Sequence, residues 1–163
     1  MKKLLLIITA FCLFLCSCKN ETEIKPYLEN INFTVHSIFG NTEYILNGFC
    51  SEDGRVELSV QSPAEMENIK FCLVEDTVKI YYLDLEKEIL LKNFEENSVL
   101  KIVFTGFIEA FKCGSLYFED NNYIMDFEVD AIDYRMYYSQ SGLPLKISSQ
   151  NENTEIIFEG MSV

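Results

Sequence analysis

From Ile31 onward, apolar and polar residues alternate with a period of two, and the alternating stretches are joined by very short connections. That combination restricts the chain more than any other feature. A period of two puts one face of a strand in a core and the other in water. Connections of a few residues can make hairpins but not parallel crossovers, which need a dozen residues or more. The expected product is an antiparallel meander. Ile31, Phe33 and Val35 mark a first strand ending near Gly40-Asn41, and Tyr44, Leu46 and Gly48 mark a second. Asp53-Gly54 is a hairpin signal, followed by Val56, Leu58 and Val60, until Ser62-Pro63 stops the strand. Ile69-Phe71-Leu73 and Val78-Ile80-Tyr82 continue the series across Glu75-Asp76.

The period then changes. Apolar residues at 99, 100, 103, 104, 107, 108 and 111 form a helical stripe, with Lys101, Thr105 and Glu109 expected on the opposite face. Ser98 is placed to cap its start and Gly114 its end. Gly106 inside it costs about 1 kcal/mol relative to Ala. A helix this apolar must be buried, and the available surface is one face of the sheet. Strands resume at Leu116-Tyr117-Phe118, turn at Asn121-Asn122, and continue through Tyr123, Met125, Phe127 and Val129. Ile132 to Tyr138 forms another strand, and Leu145-Ile147 with Ile156-Phe158 closes the chain as a hairpin. The expectation is a mainly β, α+β domain over residues 30–163, with about nine or ten strands and one buried helix.

Ahead of this domain the chain has a different character. Met1-Lys2-Lys3 is followed by an apolar region of twelve residues, Leu4 to Leu15, broken only by Thr9, too few to span a bilayer, which takes roughly 20. They suit a signal peptide over residues 1–17. Leu15, Cys16 and Ser17 before Cys18 resemble a bacterial lipobox, in which the thiol of the last Cys carries a diacylglyceryl group and becomes the first mature residue. Residues 18–29 read as a polar tether, interrupted by Pro26. A two-chain anchor binds durably where one chain binds only marginally. The expected location is the extracytoplasmic face of a cell membrane.

Charge narrows the partners. The full chain carries a formal net charge of −13, and loss of Lys2 and Lys3 with residues 1–17 takes it to −15. Nucleic acid and anionic lipid both require clustered Lys and Arg, so neither is expected. Beyond Cys18 only Cys50, Cys72 and Cys113 remain, an odd number with no CxxC metal spacing. No metal site and no cofactor is expected. A reduced, half-buried Cys72 fits the alternation, and one disulfide among the three stays open.

Other constellations point to ordinary roles. Asp126, Glu128, Asp130 and Asp133 lie at strand spacing, unlike the looped ligand set of a calcium site, and read as a solvated face. His36 is the single histidine. Its polar neighbours Asn32 and Thr34 in the alternation place it on an exposed face, and no serine sits in a GxSxG elbow, so no catalytic residue is assigned. Phe71, Tyr82, Tyr134, Met136 and Tyr138 are the candidates for an apolar ligand pocket. The same residues could instead be core against Val99, Phe104, Phe107 and Phe111.

The order of these pieces resembles a known layout. A lipobox leads into INFTVHS, YILNGFC, VELSVQSP and IKFCLVEDTVKIYYLDL, then the buried helix, then YRMYYSQSGLPLKISSQ. This is similar to small lipoproteins of clostridial-type bacteria with LolA/LolB-like domains. The resemblance implies a strongly curved antiparallel sheet, an unclosed half-barrel, with helix on the concave side. It also implies one of two roles: a carrier holding acyl chains in the concavity, or a non-enzymatic module that binds a protein partner.

Overall fold

The computed structural model describes residues 23–95, 98–149 and 154–162. The lipobox residues Leu15 to Cys18 and the expected signal peptide lie outside them. Eleven strands form a single antiparallel sheet: β1 (Ile31–Phe39), β2 (Thr42–Cys50), β3 (Val56–Ser62), β4 (Lys70–Val74), β5 (Thr77–Tyr82), β6 (Leu85–Leu90), β7 (Tyr117–Glu119), β8 (Asn122–Val129), β9 (Ile132–Tyr138), β10 (Pro144–Ser149) and β11 (Glu155–Ser162). One helix, α1 (Val99–Lys112), separates β6 from β7. Among the described residues no helix is long and apolar enough to cross a membrane.

The spatial order is β6-β5-β4-β3-β2-β1-β11-β10-β9-β8-β7. Two meanders, β1 to β6 and β7 to β11, are stitched together where the first strand pairs with the last, Val35 opposite Phe158 and Ser37 opposite Ile156. Strands β6 and β7 end the order without pairing to each other, so the curved sheet is an unclosed half-barrel. The count exceeds the nine or ten strands expected because β6, LEKEIL, carries no buried residue. A strand without a core face has no apolar alternation to betray it.

The alternation in the other strands matches burial closely. Ile31, Phe33 and Val35 in β1 and Val56, Leu58 and Val60 in β3 are buried, with Glu57 and Ser59 between the latter half-buried. These inward faces enclose α1. Phe107 stacks on Phe33 with ring centroids 5.1 Å apart and meets Phe158 edge-on at 5.9 Å. The helix is thereby pinned over the β1–β11 seam. Phe33 itself lies flat over Gly48, where an added Cβ would stand 2.2 Å from the ring.

Gly106, unfavourable on helix propensity, has a packing reason. A Cβ there would come within 3.2 Å of Ile147 Cδ1 and Phe127 Cζ. Hydrogen in that place lets the helix lie close against β8, β9 and β10. The sheet wraps far enough that α1 is buried on more than the expected stripe. Ile102 and Ala110 are buried, and so is Lys101, which the periodicity places on the outer face. Its ammonium donates to Asp130 Oδ1 at 2.7 Å and to the Phe94 carbonyl at 3.5 Å. Phe111, expected in the core, is instead 38% exposed. Ser98 caps the helix as expected, accepting from the Lys101 amide. At the other end Cys113 occupies the cap position, and its amide donates to the Ala110 carbonyl.

The described end of the tether is held against the domain. The Tyr27 amide donates to the Gly142 carbonyl and the Leu116 amide to the Ile24 carbonyl, both at 2.8 Å, and Leu28 is buried. Gly142 has φ +82°, and a Cβ there would stand 2.2 Å from the Lys25 carbonyl oxygen. Only glycine fits such an approach.

Candidate functional site

Hairpin register assigns the loops to two ends of the half-barrel. Ile31 opposes Cys50, Val56 opposes Leu73 and Pro144 opposes Tyr138, so the chain entering β1, the β2–β3 turn and the β9–β10 turn share one end. The β1–β2 turn, the loop between β3 and β4 and the start of α1 share the other. At about 3.3 Å per residue, a nine-residue strand such as β1 separates these ends by about 25–30 Å.

The second end carries a half-open groove of about 330 Å³. Its walls come from three connections. Gly40, at φ +63°, turns β1 into β2 and sets Phe39 beside Tyr44. Pro63, following a cis peptide bond, starts a 3-10 turn, Ala64–Met66, that presents Met66. A second 3-10 turn, Leu91–Asn93, buries Leu91 and delivers Phe94, whose ring meets Phe71 edge-on at 6.4 Å. Val99 and Leu100 of α1 form the floor with Ser98. The Lys101 contact to the Phe94 carbonyl ties this wall to the helix.

The groove's charge has one sign. Among the described residues Glu95 is the only formally charged one lining it. Exposed Glu65 and Glu67 flank Met66 in sequence, whereas Glu43, next to Tyr44, points to the opposite face of the sheet beside His36 and Ile38. The result is an apolar trough lined by one carboxylate, with two more on the Met66 loop.

The candidates from sequence do not come together there. Tyr134, Met136 and Tyr138 are buried in β9, facing α1. Tyr134 stacks on Phe127 at 5.7 Å, and the Tyr138 hydroxyl lies 3.1 Å from Met136 Sδ. Burial pushes the Tyr138 phenol above its ordinary range. Phe71 is buried in β4, in the other meander, behind Phe94. Tyr82 is 42% exposed at the end of β5. Four of the five are therefore buried side chains in two separate parts of the core.

Several other titratable groups form surface pairs. Asp126 accepts from Arg135 Nε at 2.9 Å and from the Tyr117 hydroxyl, and Glu119 accepts from Arg135 at 2.5 Å. Partial desolvation opposes the Asp126 charge, but the hydrogen bonds from Arg135 and Tyr117 outweigh it and hold the carboxyl below its ordinary value. Asp130 serves Lys101. Among the described residues no group of three His, Cys, Asp or Glu is arranged to hold a metal. His36 Nε2 stands 3.5 Å from Glu159. Cys50, Cys72 and Cys113 are free thiols, and burial, assisted by Asp53, pushes Cys50 up to about 12.

The fold defines a class, an antiparallel half-barrel plugged by a helix. The chain is similar to an uncharacterized conserved protein from Thermus thermophilus, with a TM-score of 0.53 and 8% identity, over 83% of this chain and 78% of that one. It is also similar to a LolA superfamily protein from Nitrosomonas europaea, with a TM-score of 0.48 and 10% identity, over 86% and 88%. At such identities the likeness concerns fold. No family model and no curated protein matches the sequence.

Proposed function

We propose that the chain is a lipid-anchored, non-enzymatic binding module on the extracytoplasmic face of a cell membrane, engaging a protein partner through its surface. The observation that carries this reading is the occupied concavity. Ile102, Val103, Phe104 and Phe107 of α1 are each fully buried against the sheet. Close packing of this kind among the described residues favours a filled core over an acyl-chain cavity. The anchor is supported by Leu15-Cys16-Ser17-Cys18 at the end of the apolar region that begins at Leu4, with Cys18 as the lipidated residue.

A second reading, a carrier of lipid or another apolar ligand, is favoured by the apolar groove at the mouth. One experiment weighs both. The protein is isolated from membranes of the expressing cell and analysed by native mass spectrometry, with its amino-terminal peptide mapped. The module reading expects a diacylglyceryl adduct on Cys18, no other lipid, and loss of the adduct in Cys18→Ala. A stoichiometric non-covalent lipid overturns it in favour of a carrier, and an unmodified Cys18 removes the anchor.

A further inference from the structure

The groove between the β1–β2 turn, the Met66 loop and the start of α1 has features that select its occupant. We infer that it docks a basic segment of a partner protein, inserting one or two bulky apolar side chains between flanking Lys or Arg residues. This deepens the binding-module reading and rests on it.

Three observations converge. The first is size. About 330 Å³ lies at the bottom of the range for ligand pockets, roughly 300–1,000 Å³, enough for a bulky side chain or two but small for a lipid with paired chains. The second is composition. Phe39, Tyr44, Met66, Phe94 and Leu100 supply aromatic and thioether surface, the residue types that dominate contact energetics and adapt to a partner's shape. None of these five is fully buried: Phe39 is 38% exposed, and Tyr44, Met66, Phe94 and Leu100 pack on the core while remaining half-buried. The third is charge. Among the described residues Glu95 lines the groove without a cationic lining residue to oppose it, and exposed Glu65 and Glu67 sit on either side of Met66 in the loop that forms one wall. Carboxylates placed so disfavour an anionic ligand such as a fatty acid or phospholipid headgroup and attract cationic side chains. Placement agrees: the groove lies at the end opposite residues 23–28, where the anchored chain enters the domain.

The chain has no Trp, so a Trp-bearing probe can be followed without background. The full chain is reconstituted in phosphatidylcholine nanodiscs and titrated with acetyl-KKWLKK-amide, exciting the probe's indole; empty nanodiscs give the blank. Saturable binding with a blue-shifted emission is expected. It should weaken at least about fivefold in Glu95→Lys, an exposed change that leaves the core intact, and about as much between 0.05 and 0.5 M salt. Met66→Lys should weaken it further, while Leu145→Lys, at an exposed site outside the groove, should leave it unchanged. Equal binding of acetyl-EEWLEE-amide overturns the basic partner. Displacement of the probe by a neutral monoacylglycerol, with no effect of Glu95→Lys, overturns it in favour of an apolar small molecule. Absence of binding to wild type overturns the inference, whereas the binding-module reading falls only to the lipid detected in the preceding experiment.

Discussion

The buried Lys101–Asp130 pair makes an unequal prediction about its two halves. Lys101 is 8% exposed and its ammonium has Asp130 at 2.7 Å and a weaker carbonyl contact at 3.5 Å. Asp130, at the β8–β9 turn, is 25% exposed. Removing one member of a buried pair costs about 3–5 kcal/mol when the other is stranded as a buried charge. Asp130→Asn strands Lys101. The amide carbonyl can still accept a hydrogen bond, so the lower figure, about 3 kcal/mol, applies. Lys101→Met strands Asp130, which water already reaches, and fills the space with apolar volume. Its cost should be about 1 kcal/mol or less. With a urea slope near 2 kcal/mol/M for a domain of this size, the unfolding midpoint should fall by about 1.5 M in Asp130→Asn and about 0.5 M in Lys101→Met. The double variant should resemble Lys101→Met alone. Equal shifts, or a larger loss in Lys101→Met, would refute the argument that the stranded ammonium sets the cost.

Three further outcomes follow from other parts of the structure. Because Asp126 is held below its ordinary value by Arg135 and Tyr117, its contribution is present above the unfolded carboxylate pKa of about 3.9 and is lost as pH falls through the lower folded value. Thermal melts at pH 7 and pH 2.5 should show a smaller acid loss in Asp126→Asn than in wild type; an identical loss contradicts the assignment. Cys50, fully buried and raised to about 12, should resist iodoacetamide at pH 8, where only about one thiol in ten thousand is ionised, while half-buried Cys72 and Cys113 react first. Peptide mapping checks the order, and early Cys50 labelling contradicts its placement. Gly142→Ala meets both a positive φ and the Lys25 carbonyl, so it should loosen residues 23–28, make chymotrypsin cut faster after Tyr27 and, as buried Leu28 is exposed, lower the urea midpoint; unchanged cleavage contradicts the contact.

What can be read from sequence follows from where the apolar signal lies. Strands such as β1, β3 and β9 have one face in the core, so their alternation states their register and their inward residues directly. Strand β6 is invisible because neither of its faces is buried. Helix α1 is visible as an apolar stripe, but the stripe does not show how far the sheet curls around it. Periodicity consequently assigns Lys101 to water, although its partner lies 29 positions along the chain. The groove escapes for a related reason. Met66 and Phe94 are single apolar residues in or beside polar turns, and Phe39 closes β1 after Ile38, all at or beyond the end of a periodic run. An isolated large apolar residue inside a stretch such as PAEMENI or LKNFEE is the trace that marks it. Phe71, Tyr134, Met136 and Tyr138 stand out for aromaticity and regular spacing, and those properties place them in the core.

The seam between β1 and β11 bears on how the chain is made. Asn32 pairs with Ser162, so the central pairing of the sheet joins segments separated by almost the whole domain. As the chain emerges amino end first, the first six strands can form their hairpins one after another, but the inner edge of β1 has nothing to pair with until β11 arrives. The ring cluster of Phe33, Phe107 and Phe158 must wait equally long, since Phe158 arrives with that last strand. Pairings of such long sequence separation are slow to close, and an open β1 edge is a site for wrong pairings in the meantime. Folding should therefore end at the centre of the molecule, leaving the nascent domain a half-sheet until its final strand is released.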